Sequence, residues 1–157
     1  MTAEKEASGT PEAATKRSCA LPGAVLIVDD SPDEAGLAKR ILTEMKVRNP
    51  VQIVFGGNEL IAYLDGSDEY EDRTRFPFPV LILLDLKMPG MDGLEILRWL
   101  RSRPEYGSIP VVVLSGVEDT DNITRAYQFG ARTFLRKPLA TVALQHMAEA
   151  LSIPLQF

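Results

Sequence analysis

A doubly wound α/β domain, with one parallel sheet covered by helices on both faces, is what this sequence predicts. Three observations lead there. Short runs of β-branched and leucine residues recur without polar alternation, as strands buried on both faces require. Segments with helical spacing separate them. The balance of 45% hydrophobic and 25% charged residues over 157 positions suits one well-filled core.

The first strand is Val25-Leu26-Ile27-Val28. Ser31-Pro32-Asp33-Glu34 then opens a helix, with Ser31 as cap, Pro32 in the first turn and Glu34 completing a capping box. Leu37, Ile41, Leu42 and Met45 share one face of it. A second strand covers 51–55, and Gly56-Gly57-Asn58 leads into a short helix carrying Leu60, Ile61 and Leu64. The polar stretch 65–75 is long for a connection inside a compact domain and reads as a solvated insertion with a further helical turn. The most apolar run, 80–84, belongs at the centre of the sheet. A helix over 93–102 places Leu94, Leu97 and Leu100 inward, with Trp99 at its edge. A strand at 111–114, a helix at 120–129, a strand at 133–136 and a helix at 141–151 complete the alternation. Residues 1–22 carry almost no large apolar side chains and read as a mobile tail or a partner-binding arm, residues 23–152 as the domain, and 153–157 as a C-terminal tail.

The formal charge of −5 and the absence of a long Lys/Arg run argue against direct nucleic-acid binding. The single cysteine, Cys19, fits a reducing compartment. With no membrane-length apolar stretch and no secretory segment, the expected location is the cytoplasm.

In open α/β sheets ligands sit beyond the carboxyl ends of the strands. Here the first strand runs into Asp29-Asp30, the third into Asp85, the fourth into Ser115 and the fifth into Lys137-Pro138. Two carboxylates brought to about 4 Å repel by roughly 4 kcal/mol at an effective dielectric near 20. A fold that gathers them needs a cation, and Mg2+ is a small, hard ion that prefers oxygen ligands. Taken singly, the acids also suit a helix N-terminus, and Ser115 is a generic residue after a strand.

The set Val25-Leu26-Ile27-Val28-Asp29-Asp30, Leu83-Leu84-Asp85-Leu86-Lys87-Met88-Pro89-Gly90-Met91-Asp92-Gly93, Val113-Leu114-Ser115-Gly116 and Phe134-Leu135-Arg136-Lys137-Pro138 resembles the receiver domain of two-component response regulators. The resemblance implies a flavodoxin-like sheet of strand order 2-1-3-4-5 with five helices. It implies that Asp85 takes a phosphoryl group, with Lys137 and Ser115 contacting that group. Asp30, Asp85 and the Lys87 backbone carbonyl would bind Mg2+, with Asp29 acting through a water. Ser115 and Phe134 would form the switch, and the Lys137–Pro138 bond would be cis. The implied donor is a sensor histidine kinase or phosphotransfer protein. The long 65–79 segment and stand-alone layout are similar to the regulators paired with phytochrome-type kinases. The chain stops soon after the last helix, so the output surface is expected on the receiver itself, at the fourth helix, fifth strand and fifth helix. A homodimer through that face is expected, with the apolar 153–157 tail packing there or bridging to a second subunit. Lys87 and Val117 stand at positions that influence acyl-phosphate lifetime in the family.

Three rivals stay in view. An aspartyl phosphatase would want a second acid where Lys87 stands. A flavin protein would want a phosphate loop where Asp29-Asp30-Ser31-Pro32 stands. A pure interaction module would not need every reactive position filled.

Overall fold

The computed structural model describes residues 23–88, 92–116 and 120–156. The tail 1–22, Pro89 to Met91 and Val117 therefore lie outside the described residues. The elements are β1 (Ala24–Val28), α1 (Pro32–Glu44), β2 (Val51–Val54), α2 (Gly57–Asp65), a 3-10 turn (Asp68–Tyr70), β3 (Pro79–Asp85), α3 (Gly93–Ser102), β4 (Val111–Ser115), α4 (Thr120–Gln128), β5 (Thr133–Arg136) and α5 (Thr141–Ala150). All strand pairs are parallel, in the order β2-β1-β3-β4-β5. The expected topology is the observed one.

The unbroken apolar strands are explained by two cores. Leu26, Val28, Ile82, Leu84, Val111 and Val113 pack on one face with Leu60, Leu64, Ile96, Leu97, Leu100 and Ala126. Their neighbours Val25, Ile27, Leu81, Leu83, Val112 and Leu114 pack on the other with Ala38, Ile41, Leu42, Leu144 and Met147. Alternate side chains of one strand point to opposite faces, so a strand covered twice has no polar position to spare. Leu37 departs from the expected inner face of α1 and is 41% exposed. No helix of the described residues is long and apolar enough to cross a membrane.

The 65–79 insertion is more than a solvated loop. Beyond the expected extra turn, Tyr70 and Phe76 close on the fully buried Tyr63, with ring centroids 5.1 and 6.0 Å from it. The Tyr63 hydroxyl donates to Pro77 O at 2.7 Å, and Arg73 donates to Leu64 O at 2.8 Å while its guanidinium stacks over Tyr63. Trp99, at the edge of α3 as expected, stacks on Tyr106 at 5.6 Å.

The C-terminal segment also differs from expectation. Ile153 is buried in the α1/α5 core instead of lying on the α4–β5–α5 face. The chain then crosses to Asn49, where Gln156 N donates to Asn49 Oδ1 at 2.6 Å and Arg48 N to Gln156 O at 2.6 Å. Asn49 is itself buried and donates to Gly23 O at 2.8 Å, so one amide joins the start of β1, the approach to β2 and the chain end. An intrachain site satisfies this segment because a buried amide with fixed partners is costly to leave unpaired. Asn49→Ala is expected to lower the unfolding free energy by about 1–3 kcal/mol in urea titration. A loss within a few tenths would mean that Ile153 alone holds the segment.

Candidate functional site

The carboxyl edge of the sheet is built by register. Val28 stands beside Leu84, so the next residues, Asp29 and Asp85, leave adjacent strands side by side. β4 continues the edge, with Asp85 beside Leu114 and Ser115 beside Arg136. Lys137 N donates to Ser115 O at 2.9 Å, which fixes the root of the lysine one strand from Asp85. The Lys137–Pro138 peptide is cis. At the other side of Asp85, α3 presses its first turn against the end of β3. A Cβ at Gly93 would lie 2.6 Å from Leu86 Cα and 2.7 Å from Asp85 O, which only glycine allows. Asp92 and Glu95 close a full capping box on that turn.

Asp29 and Asp85 are 1% and 5% exposed. Lys137 Nζ lies 3.2 Å from Asp85 Oδ1, 3.6 Å from Asp29 Oδ2 and 2.5 Å from Glu34 Oε1. Backbone donors complete the acids: Ser31 N to Asp29 Oδ1 at 3.0 Å and Lys87 N to Asp85 Oδ1 at 3.2 Å. Burial pushes the Asp85 carboxyl up to about 6; the Lys87 N–H and the Lys137 ammonium pull it down, and the Asp29 charge adds to the rise. Burial lowers the Lys137 ammonium, but the Glu34 hydrogen bond and the Asp85 and Asp29 charges outweigh it, and the net direction is upward.

Ser115 is buried at the end of β4. Phe134 stands beside Val113 in β5, half-buried, and meets the Tyr127 ring edge-on at 6.4 Å. Asp30, expected among the metal-binding acids, is exposed. Oxygen atoms of Asp29, Glu34 and Asp85 lie within 4.8 Å of one another, and this group does not include Asp30. Glu34 is the residue that sequence reasoning misplaced. Its backbone N–H does receive the Ser31 cap at 3.3 Å, but its carboxylate turns to Lys137 instead of completing the box. The signal was its place at the third helical residue of α1, one turn beyond the acidic edge. A hollow of about 380 Å3 opens beside the site, lined by Asp29, Glu34, Leu37, Leu114, Lys137 and Leu139.

Three carboxylates against one ammonium leave an excess of negative charge, and their hard oxygen donors suit a divalent cation. The family model of the response regulator receiver domain matches residues 25–149. The chain belongs to that family. Response regulator Rcp1 of Synechocystis is 33% identical over 116 residues, covering 74% of this chain and 77% of that protein. The Mn2+-bound form of Rcp1 superposes with a TM-score of 0.69 at 30% identity, over 85% of this chain and 96% of that one. The bacteriophytochrome response regulator AtBRR gives 0.74 at 28% identity, over 86% and 96%. The phosphorylated cyanobacterial phytochrome response regulator RcpA gives 0.68 at 31%, over 83% and 91%. The receiver is thus a phosphoacceptor of two-component signalling, not a conventional enzyme, and its acidic group is the place for a divalent cation.

Without metal, the buried Asp85 carboxyl holds its proton to a higher pH than in the unfolded chain. Its contribution to stability is therefore full below pH 3.8 and is lost as pH rises through about 6. In EDTA, Asp85→Asn is expected to match the parent in acid and exceed it by about 2–3 kcal/mol at pH 7. Urea unfolding at the two pH values measures this, and a variant no more stable at pH 7 would remove desolvation as the main burden on the site.

Proposed function

We propose that Asp85 is the phosphoryl acceptor and that Lys137 is its cationic partner before and after transfer. The observation that carries this reading is the buried Asp29–Asp85 pair, at the ends of adjacent strands, bridged by one ammonium. An Asp85 oxygen attacks phosphorus as the bond to the departing imidazole of a phosphohistidine breaks. The attacking lone pair becomes the new O–P bond, the P–N electron pair leaves with the ring nitrogen, and the proton already on the other ring nitrogen makes the departing imidazole neutral. The nucleophile needs positioning and charge neutralisation more than a base. Lys87 N fixes one Asp85 oxygen, and Lys137 supplies a donor where phosphoryl charge builds up. Asp30, Asp85 and the Lys87 carbonyl would hold Mg2+, with Asp29 acting through a water, and the ion would supply the remaining neutralisation.

Ser115 then takes a phosphoryl oxygen, and Phe134 turns inward from its contact with Tyr127. The α4–β5–α5 face reads this out to a protein partner or to a second copy of the chain; exposed Tyr127 and Val142 support that face as the contact surface. Residues 23–152 act as the receiver unit. The donor is a histidine kinase or phosphotransfer protein, of phytochrome type by the company of AtBRR and RcpA.

Incubation with Mg2+ and a small phosphodonor, read by intact mass, is expected to add one phosphoryl group that Asp85→Asn abolishes. Labelling that persists in the variant would move the acceptor elsewhere. The exposed Leu37 on the rim of the hollow gives the donor protein an apolar foothold beside Lys137. Leu37→Glu is expected to slow transfer from a phosphohistidine protein about tenfold or more, one buried apolar contact being worth a kcal/mol or two. Its rate with the small donor should stay near that of the parent. Equal slowing with both donors would place the defect in the site itself.

A further inference from the structure

The ammonium of Lys137 has three N–H donors, and three carboxylates surround it, at 2.5 Å for Glu34, 3.2 Å for Asp85 and 3.6 Å for Asp29. Glu34 and Asp85 lie within hydrogen-bonding distance and Asp29 only within ion-pair distance, so a phosphoryl oxygen on Asp85 competes with these carboxylates for the ammonium. The three are not equally easy to release. Asp29 and Asp85 are almost out of reach of water, so a lost partner there stays unreplaced. The Glu34 side chain is 53% exposed, and water can take over its hydrogen bonds. The contact is also pre-set from both ends. The Ser31 cap and Pro32 in the first turn hold the start of α1, and the Lys137 N–H is bonded to Ser115 O.

We propose, resting on the phosphoacceptor reading of Asp85, that Glu34 is a positioning residue that holds Lys137 in the unphosphorylated state and is the partner Lys137 gives up on phosphorylation. Glu34 thereby weights the switch against its phosphorylated form. A half-exposed ion pair is worth little in absolute terms, so the weighting is about two- to tenfold. Asp33 supplies the control: it is exposed, lies on the same turn and carries the same charge, and it is not among the ion-pair partners of Lys137 in the described residues.

Two measurements test this. In EDTA, competitive amine labelling followed by peptide mass spectrometry should modify Lys137 about two- to tenfold faster in Glu34→Gln, and likewise in Glu34→Ala, than in the parent. Asp33→Asn should label as the parent does. With Mg2+, beryllofluoride, which mimics a phosphoryl group on a carboxylate, should bind Glu34→Gln about two- to tenfold tighter and Asp33→Asn unchanged. Equal labelling of Lys137 in parent and Glu34→Gln overturns the tether. Unchanged or weaker beryllofluoride binding in Glu34→Gln, with normal binding by the parent, overturns the weighting alone. A parent that takes up no beryllofluoride overturns the phosphoacceptor reading together with this one.

Discussion

Asp29 and Asp85 sit at the ends of neighbouring strands with almost no access to water, and one ammonium reaches them both. Like charges at such separations oppose folding, and burial adds to the cost, as the raised Asp85 carboxyl records. The arrangement is stable only because the rest of the molecule leaves these side chains nowhere else to go. β1 and β3 are locked side by side at the centre of the sheet, and each is covered on both faces by packed leucine, isoleucine and valine. The backbone of Lys137 is hydrogen-bonded to β4, so the lysine cannot retreat along the edge. The site is a strained electrostatic problem held in place by two hydrophobic cores.

The opposite pole of the sheet supplies stability without chemistry. Asn49 ties the start of β1 and the chain end to its own segment through one buried amide, and Ile153 seals the core between α1 and α5. Near the start of β3, Tyr63, Tyr70 and Phe76 form an aromatic cluster, with the Arg73 guanidinium packed over Tyr63. Such contacts stabilise the fold far from the reactive edge, where strain is concentrated and flexibility is useful. The division is physical: polar groups that must react are placed at strand ends, and polar groups that only need satisfying are buried with fixed partners.

The fold was legible because each level agreed. Strand runs such as Val25 to Val28 had no polar position, so only a doubly covered sheet could hold them. Asp85 and Lys137 were legible because their chemistry at a strand end has few other uses. Glu34 was not, since a glutamate three residues after a capping serine has a local explanation that looks complete, and only the distant Lys137 outbids it. Leu37 and the chain end failed for a related reason. Periodicity reports which side chains are apolar, not whether a neighbouring element covers them. Arg73 looked like loop charge because the aromatic rings that hold it, Tyr63 and Phe78, stand on either side of it along the chain.

The same contrast bears on how a change at the edge can travel. Among the described residues of α4, Ala126 is the buried one, whereas α3 buries Ile96, Leu97 and Leu100. A helix with little apolar area committed to the core costs least to displace. Its C-terminal end is nonetheless tied, because Arg101 donates to Gly107 O and Gly130 O, each at 2.6 Å. The face of α4 that meets Phe134 does so through Tyr127, whose hydroxyl also contacts Thr133 Oγ1 at 3.2 Å. α4 is thus loosely packed along its length and anchored at its end. Rearrangement beside Ser115 therefore meets less resistance toward α4 than toward any element of the central sheet.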